Sequence, residues 1–373
     1  MKILILGSIS RSLLNFRGPM IRRLRDGGHT VIAATAEDEN STWIADELQT
    51  WGVDYRTVDI ARGGTNPLSD IVTFRSVRAL LRQTRPDLLF AYTAKPVIYG
   101  GLAARAVPGA RFFPMITGLG YAFTAGTGVK RRLLREMLTQ LYRRSLCGAE
   151  RVIFQNPDDQ GVFAELGLLP DPERSARVHG SGVDCEAFPP SPLPKAPVFL
   201  MLARLVADKG VHQYVEAARR VRAVYPGARF RLAGGLDPNP ASVSRAELDA
   251  WVAEGTIEYL GPIHPVQPEL ANCRYYVLPS YREGTPRSVL EAMATGRPII
   301  TTDAPGCRET VEHGVNGLLV PPRDAAALAK AMEVLFAAPE ACVQSMADES
   351  LRMVRDRFEV NRVNDEILEI LGL

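Results

Sequence analysis

Residues 188–203 read Phe188-Pro-Pro-Ser-Pro-Leu-Pro-Lys-Ala-Pro-Val-Phe-Leu-Met-Leu-Ala203. Five prolines in ten positions rule out regular helix or central strand, so 188–197 reads as a linker. The apolar run that follows, 198–203, reads as a buried strand, and with it the pattern of the first half of the chain begins again. In that first half, strand-like runs at 2–6, 30–35, 88–91, 111–116 and 151–154 alternate with helix-period segments at 16–26, 39–50, 70–84, 96–106 and 129–147. After the linker, runs at 198–203, 229–233, 257–260, 275–278, 298–301 and 317–320 are separated by helices at about 209–224, 287–295 and 324–336. Strand–helix alternation of this kind specifies parallel, doubly wound sheets. The expected architecture is α/β: two Rossmann-like domains, 1–187 and 198–347, facing each other across a central cleft, with a helical tail at 348–373. In such sheets ligands bind beyond the carboxyl ends of the strands, and clefts between domains are common ligand sites.

A chain of 373 residues exceeds one ordinary core, in keeping with two domains. The net charge of +2 makes no demand for a nucleic-acid partner. The first 186 residues hold 24 Lys and Arg against 19 Asp and Glu, so the basic excess lies there. The cysteines Cys147, Cys185, Cys273, Cys307 and Cys342 are odd in number and form no C-x-x-C pair. That argues against a disulfide framework and a zinc cluster, and for a reduced, cytoplasmic setting. The apolar run after Met1 is too short for a signal peptide, with Arg11 close behind. No stretch approaches the ~20 apolar residues that cross a bilayer.

The chemistry concentrates at 279–298, Pro279-Ser-Tyr-Arg-Glu-Gly-Thr-Pro-Arg-Ser-Val-Leu-Glu-Ala-Met-Ala-Thr-Gly-Arg-Pro298. A loop with Glu283 and Gly284 leaves the strand; Thr285 reads as an N-cap and Pro286 as the first helical residue. Glu291 then stands two turns into the helix. Backbone N–H groups at 284–287 form a positive pole for a phosphate, and Gly284 permits close approach. Carboxylates accept hydrogen bonds from vicinal hydroxyls, so two of them suit the two sugars of a nucleotide sugar. Either glutamate alone reads better as an exposed residue on a capped helix; the whole string favours a site. A second element, Arg204-Leu-Val-Ala-Asp-Lys-Gly210, spans a strand-to-helix turn. Arg204 and Lys209 supply cations able to hold a diphosphate and neutralise it as it leaves.

Together these elements resemble glycosyltransferase family 4, the retaining group with the two-domain GT-B fold. Its two glutamates separated by seven intervening residues correspond to Glu283 and Glu291. The Arg-Leu-x-x-x-Lys-Gly string corresponds to its diphosphate-binding element. His179-Gly-Ser-Gly-Val-Asp184, Ala233-Gly-Gly235, Gly296-Arg-Pro-Ile-Ile300, Thr302-Asp-Ala-Pro-Gly306 and Gly314-Val-Asn-Gly-Leu-Leu319 match as well. The resemblance implies that Arg204 and Lys209 bind the donor diphosphate, that Glu291 binds the ribose, and that Glu283 contacts and orients the transferred hexose. It places the backbone of Gly284, Thr285, Pro286 and Arg287 on hexose and phosphate, with Gly235 also on the donor and Ile263 near the base. It sends the last helix back onto the N-terminal domain. It implies a nucleotide sugar as co-substrate, with no cofactor and no metal. One departure stands out: many members carry a histidine where this chain has Met115-Ile-Thr-Gly-Leu-Gly-Tyr-Ala-Phe123, so no catalytic histidine is assigned.

Tyr92-Thr-Ala-Lys-Pro-Val-Ile-Tyr-Gly-Gly101 and Thr117-Gly-Leu-Gly-Tyr-Ala-Phe123 are similar to bacterial members that extend lipid-linked oligosaccharides. Among those are N-acetylgalactosaminyltransferases acting on undecaprenyl-diphosphate-bacillosamine. The similarity implies a polyprenyl-diphosphate sugar as acceptor, with Lys95, Thr117, Gly118 and Tyr121 as acceptor residues. It favours a UDP-N-acetylhexosamine donor. Residues 129–146, VKRRLLREMLTQLYRRSL, set six basic residues against Glu136 along an apolar stripe. Such a helix either packs its stripe on the sheet or lies on an anionic membrane surface, which would hold the chain peripherally at the inner face of the cytoplasmic membrane. The alternatives are a soluble family 4 transferase with a small or polymeric acceptor, a GT-B nucleotide-sugar epimerase, and a non-catalytic sensor.

Overall fold

The computed structural model describes residues 1–61, 67–119, 123, 129–169, 171–237 and 242–373. The chain divides into two units, Met1–Ser181 with Val363–Leu373, and Gly182–Arg362.

The first unit alternates β1 (Lys2–Leu6), α1 (Arg11–Asp26), β2 (Thr30–Ala36), α2 (Ser41–Thr50), β3 (Asp54–Val58), α3 (Pro67–Thr84), β4 (Leu88–Tyr92), α4 (Ala94–Ala106), β5 (Arg111–Ile116), α5 (Val129–Leu146), β6 (Val152–Phe154), α6 (Pro157–Glu165) and β7 (Ser175–Arg177). Its strands are parallel in the order β3-β2-β1-β4-β5-β6-β7. The run Ile3-Leu-Ile-Leu6 explains the layering. Leu4 and Leu6 join Val77 of α3, Val97 of α4 and Tyr142 of α5 in one core. Ile3 and Ile5 join Leu13 and Met20 of α1 and Ile44 of α2 in the other. A strand buried on both faces has to be apolar throughout, and a parallel strand needs a helical crossover to reach its neighbour.

The second unit holds β8 (Val198–Leu202), α7 (Val211–Val224), β9 (Arg229–Ala233), α8 (Arg245–Ala253), β10 (Glu258–Gly261), α9 (Gln267–Asn272), β11 (Tyr275–Leu278), α10 (Arg287–Ala294), β12 (Ile299–Thr302), β13 (Gly317–Val320), α11 (Ala325–Ala337) and α12 (Glu340–Met353). Its parallel order is β10-β9-β8-β11-β12-β13. In each sheet the winding reverses once, between β1 and β4 and between β8 and β11. The proline-rich segment 188–197 lies on this unit. Proline cannot donate, and the segment's carbonyls instead accept from buried arginines: Arg297 donates to Ser191 O (2.9 Å) and Pro192 O (3.2 Å), and Arg274 to Pro194 O (2.7 Å).

Three local expectations shift. Helix α10 starts at Arg287, with Pro286 rather than Thr285 in the capping position, because Pro286 is extended (ψ 106°). Lys209 stands on a separate 3-10 turn, Ala207–Lys209, cut off from α7 by Gly210 in the left-handed region (φ 75°). The tail 348–371 is not one helix. After a π-turn at Val354–Phe358, Glu359 turns extended, Val183 N–H bonds Phe358 O (2.8 Å), and Val360 N–H bonds Val183 O (3.0 Å). Helix α13 (Val360–Leu371) follows, and its Val363, Ile367 and Leu371, spaced at four, are fully buried in the core that contains Ile3 and Ile5. Ile367→Ala is therefore expected to remove about 2–5 kcal/mol of stability, seen as a lower urea midpoint. An unchanged midpoint would show that α13 is no part of that core.

Candidate active site

The carboxyl ends of β8, β9, β11 and β12 carry the residues of the second unit that the motifs single out. From β8 come Arg204 and the turn bearing Lys209; from β9, Gly234 and Gly235; from β11, Pro279 to Pro286; from β12, Asp303 to Cys307. Backbone hydrogen bonds join these loops. Tyr281 N–H donates to Asp208 O (2.9 Å), Glu283 N–H to Pro305 O (2.9 Å), and Leu205 N–H to Gly235 O (3.1 Å). Two glycines permit the approach. A Cβ on Gly210 (φ 75°) would stand 2.1 Å from Pro279 O, and one on Gly306 (φ 79°) 2.2 Å from Glu283 O.

Lys209 and Glu283, 74 residues apart in sequence, meet here: the Lys209 ammonium donates to Glu283 Oε1. Ser280 Oγ donates to the same oxygen (2.6 Å). Ser280 is fully buried, and its carbonyl accepts from Thr302 Oγ1. Motif spacing did not reveal Ser280, although it stands three residues before Glu283 in the same string. Glu291, on the second turn of α10, accepts from Arg287 Nε (2.9 Å). Burial raises the Glu291 carboxyl above the usual range, and the Arg287 guanidinium pulls it part of the way back. Arg204 is exposed and ion-paired with Asp237 (2.8 Å), a partner the motif did not foretell. Gly284 and Pro286 are buried, and Thr285 and Arg287 half-buried. Pro286 has no N–H, so three rather than four residues at 284–287 can donate to an anion. Ile263, just past β10, is half-buried against the core of this unit.

In the first unit the acceptor candidates likewise follow strand ends. Lys95, in the first turn of α4, is 3.0 Å from Asp70 Oδ1 on α3. Tyr99 also bonds Asp70; burial first, then the Asp70 charge, pushes its hydroxyl up. Thr117 and Gly118 (φ 122°) follow β5, while Tyr121 lies outside the described residues. Ser8 Oγ and Thr93 Oγ1, 2.6 Å apart, span the reversal between β1 and β4 and were not anticipated; a Gly-Ser pair after the first strand was the available signal. Among the described residues no group of three or more His, Cys, Asp or Glu is placed to hold a metal ion.

Residues 18–179 match the family described as "Glycosyl transferase 4-like domain", and residues 196–338 that described as "Glycosyl transferases group 1". The chain is a family 4-type glycosyltransferase. The N,N'-diacetylbacillosaminyl-diphospho-undecaprenol alpha-1,3-N-acetylgalactosaminyltransferase of Campylobacter jejuni is 29% identical over 90% of this transferase and 89% of its own length. A putative glycosyltransferase of Bacillus subtilis, EpsD, is 28% identical over 84% and 83%. Among solved structures, HepE of Anabaena in complex with UDP superposes with a TM-score of 0.77 at 19% identity, covering all of both chains. The sucrose-phosphate synthase of Thermosynechococcus elongatus gives 0.81 at 18% identity, covering 100% and 98%. The fold of the transferase is GT-B, and the enzyme is a hexosyltransferase. Gly210→Ala and Gly306→Ala are each expected to cost at least about 1–2 kcal/mol of stability, because the left-handed backbone and the carbonyl contact both resist a Cβ. Gly227→Ala, with nothing within 4 Å, is the control, and thermal unfolding of the three variants is the measurement.

Proposed function

We propose that this transferase is retaining and metal-independent, and moves a hexose or N-acetylhexosamine, with a UDP-N-acetylhexosamine as the preferred donor, to a polyprenyl-diphosphate-linked sugar. The observation that carries the reading is the junction of Lys209, Ser280 and Glu283, built from two strand ends that flank the reversal of the sheet. In the proposed reaction an acceptor hydroxyl attacks the anomeric carbon on the face that the diphosphate leaves. The bond from that carbon to the phosphate oxygen breaks, and the departing phosphate takes the hydroxyl proton. Negative charge builds on the diphosphate, where Lys209 and Arg204 supply the positive charge, so the scheme requires no metal. Glu283, fixed by Ser280 and Lys209, orients the hexose, and Glu291 accepts from the ribose hydroxyls. Lys95, Thr117, Gly118 and Tyr121 are proposed to serve the acceptor. The Campylobacter jejuni relative, whose acceptor is undecaprenyl-diphosphate-linked, supports that choice of acceptor.

The same reading places the enzyme on the inner, anionic face of the cytoplasmic membrane. Helix α5 supports it by having two apolar sides. Leu138, Leu141 and Tyr142 pack into the core, whereas Leu133 and Met137 point out on the side that carries exposed Arg144, flanked by exposed Arg132 and Arg143. No helix among the described residues is long and apolar enough to cross a membrane.

Nucleotide diphosphate release from a panel of UDP- and GDP-sugars in chelator, with and without a polyprenyl-diphosphate sugar, tests the reading. Release from a UDP-sugar only with the lipid is the expected result; release without it, or only with a soluble acceptor, refutes the lipid-linked assignment. Lys209→Ala is expected to weaken donor binding about tenfold or more, since hydrogen bonds to charged groups contribute about 1.5–3 kcal/mol. Unchanged donor affinity in calorimetry would contradict its role. Glu291 binds hydroxyls best when ionised, and its carboxyl is raised. Donor affinity should therefore be full at neutral pH and decline as pH falls, starting above the usual carboxylate range. In Glu291→Gln that decline should vanish; a variant that keeps it would exclude Glu291 as its source.

A further inference from the structure

We propose that the first two turns of α3 form a second lipid-contacting tip, which sets Lys95 at the depth of the acceptor's diphosphate; this rests on the lipid-linked reading above. Leu68 is 72% exposed, Ile71 47% and Val72 48%. Positions 68, 71 and 72 share one side of a helix, and here that side faces outward. The opposite side of the same helix is conventional core, with Thr73, Val77, Leu80 and Leu81 buried. Single exposed apolar residues are ordinary on soluble proteins, but three on one turn facing the same way are a surface.

Two further observations say what covers that surface. First, α4 packs against both α3 and α5, so the three helices form one layer. All three begin at the carboxyl edge of the parallel sheet, because each follows a strand. Helix α5 therefore presents Leu133 (65% exposed) and Met137 (40%) in the same layer as the α3 tip, on the far side of α4. Exposed arginines accompany both patches, Arg75 on α3 and Arg132 on α5. Apolar tips with basic flanks are complementary to an anionic bilayer, into which the side chains dip while the guanidinium groups stay at the headgroups. Second, α3 carries a residue for the headgroup on its inner side. Asp70, between Leu68 and Ile71, holds Lys95 at 3.0 Å, and Tyr99 holds Asp70. An ammonium has three donors, so Lys95 can stay on Asp70 and still reach a diphosphate oxygen. Asp70 is then a positioning residue for Lys95, and the α3 tip is the depth gauge.

The test uses the full chain and two probes. In sedimentation with phosphatidylglycerol–phosphatidylethanolamine vesicles, the Leu68→Ser, Ile71→Ser, Val72→Ser triple variant is expected to bind about tenfold or more weakly than wild type. Its turnover on a diphosphate-linked sugar with a short, water-soluble prenyl chain is expected to be unchanged. Asp70→Asn is expected to raise the KM for that short acceptor several-fold while leaving vesicle binding and donor KM alone. Leu68→Ser by itself, at the most exposed position, replaces the triple variant if the latter unfolds. Vesicle binding equal to wild type overturns the proposal, as does loss of a dimer in place of loss of lipid affinity. If wild type uses no lipid-linked acceptor but vesicle binding still depends on α3, the lipid contact stands and the acceptor reading falls.

Discussion

Leu4 and Leu6 face one layer of helices while Ile3 and Ile5 face the other, and the two-sided burial of such strands governs the rest of the molecule. A strand covered on both faces can join a parallel neighbour only through a crossover, and in both units that crossover is mostly a helix packed on a face. Every strand then points the same way, and every loop that follows a strand collects at one edge. That geometry brings Arg204, Lys209, Gly235 and Glu283 to a common edge of the second unit from three different strands. It does the same for Ser8, Thr93, Lys95 and Thr117 in the first. Where the winding reverses, successive helices depart to opposite faces, and the loops between them have room for a ligand.

At that edge in the second unit, charge is arranged in pairs. Lys209 is held by Glu283, Arg287 by Glu291, and Arg204 by Asp237. Removing one member of either largely buried pair, Lys209–Glu283 or Arg287–Glu291, strands the other, so those two contacts constrain conformation more than they add stability. The carboxylate of Glu283 shows how the constraint is built. Its position is set by Ser280 on its own loop, by Lys209 from the neighbouring strand end, and by the backbone contact of its loop with Pro305 and Gly306. No single segment could fix it, because each loop is irregular and holds its shape only against the other two.

The strongly apolar runs were legible because their burial is complete; β1, β4, β8 and β11 announce themselves. The edge strand β3, Asp54-Tyr-Arg-Thr-Val58, did not, since mixed exposure leaves no continuous apolar signal. The short helices α8 and α9 were missed for a related reason: each buries only one or two side chains. The proline-rich stretch was legible as irregular chain. That it lies on the second unit depends on Arg274 and Arg297, whose guanidinium groups reach its carbonyls from 80 to 106 residues away.

Residue order alone thus set the class of fold, the family, and the strings that hold Arg204, Lys209, Glu283 and Glu291, because these follow from local burial patterns and short spacings. Pairing was beyond its reach. Nothing local says that Lys209 donates to Glu283, that Asp70 grips Lys95, or that Leu133 and Met137 turn away from the core while Leu138 and Leu141 turn in. Those outcomes depend on which strand ends and helix faces the parallel sheet places side by side, and that is decided only when distant segments compete for the same buried space.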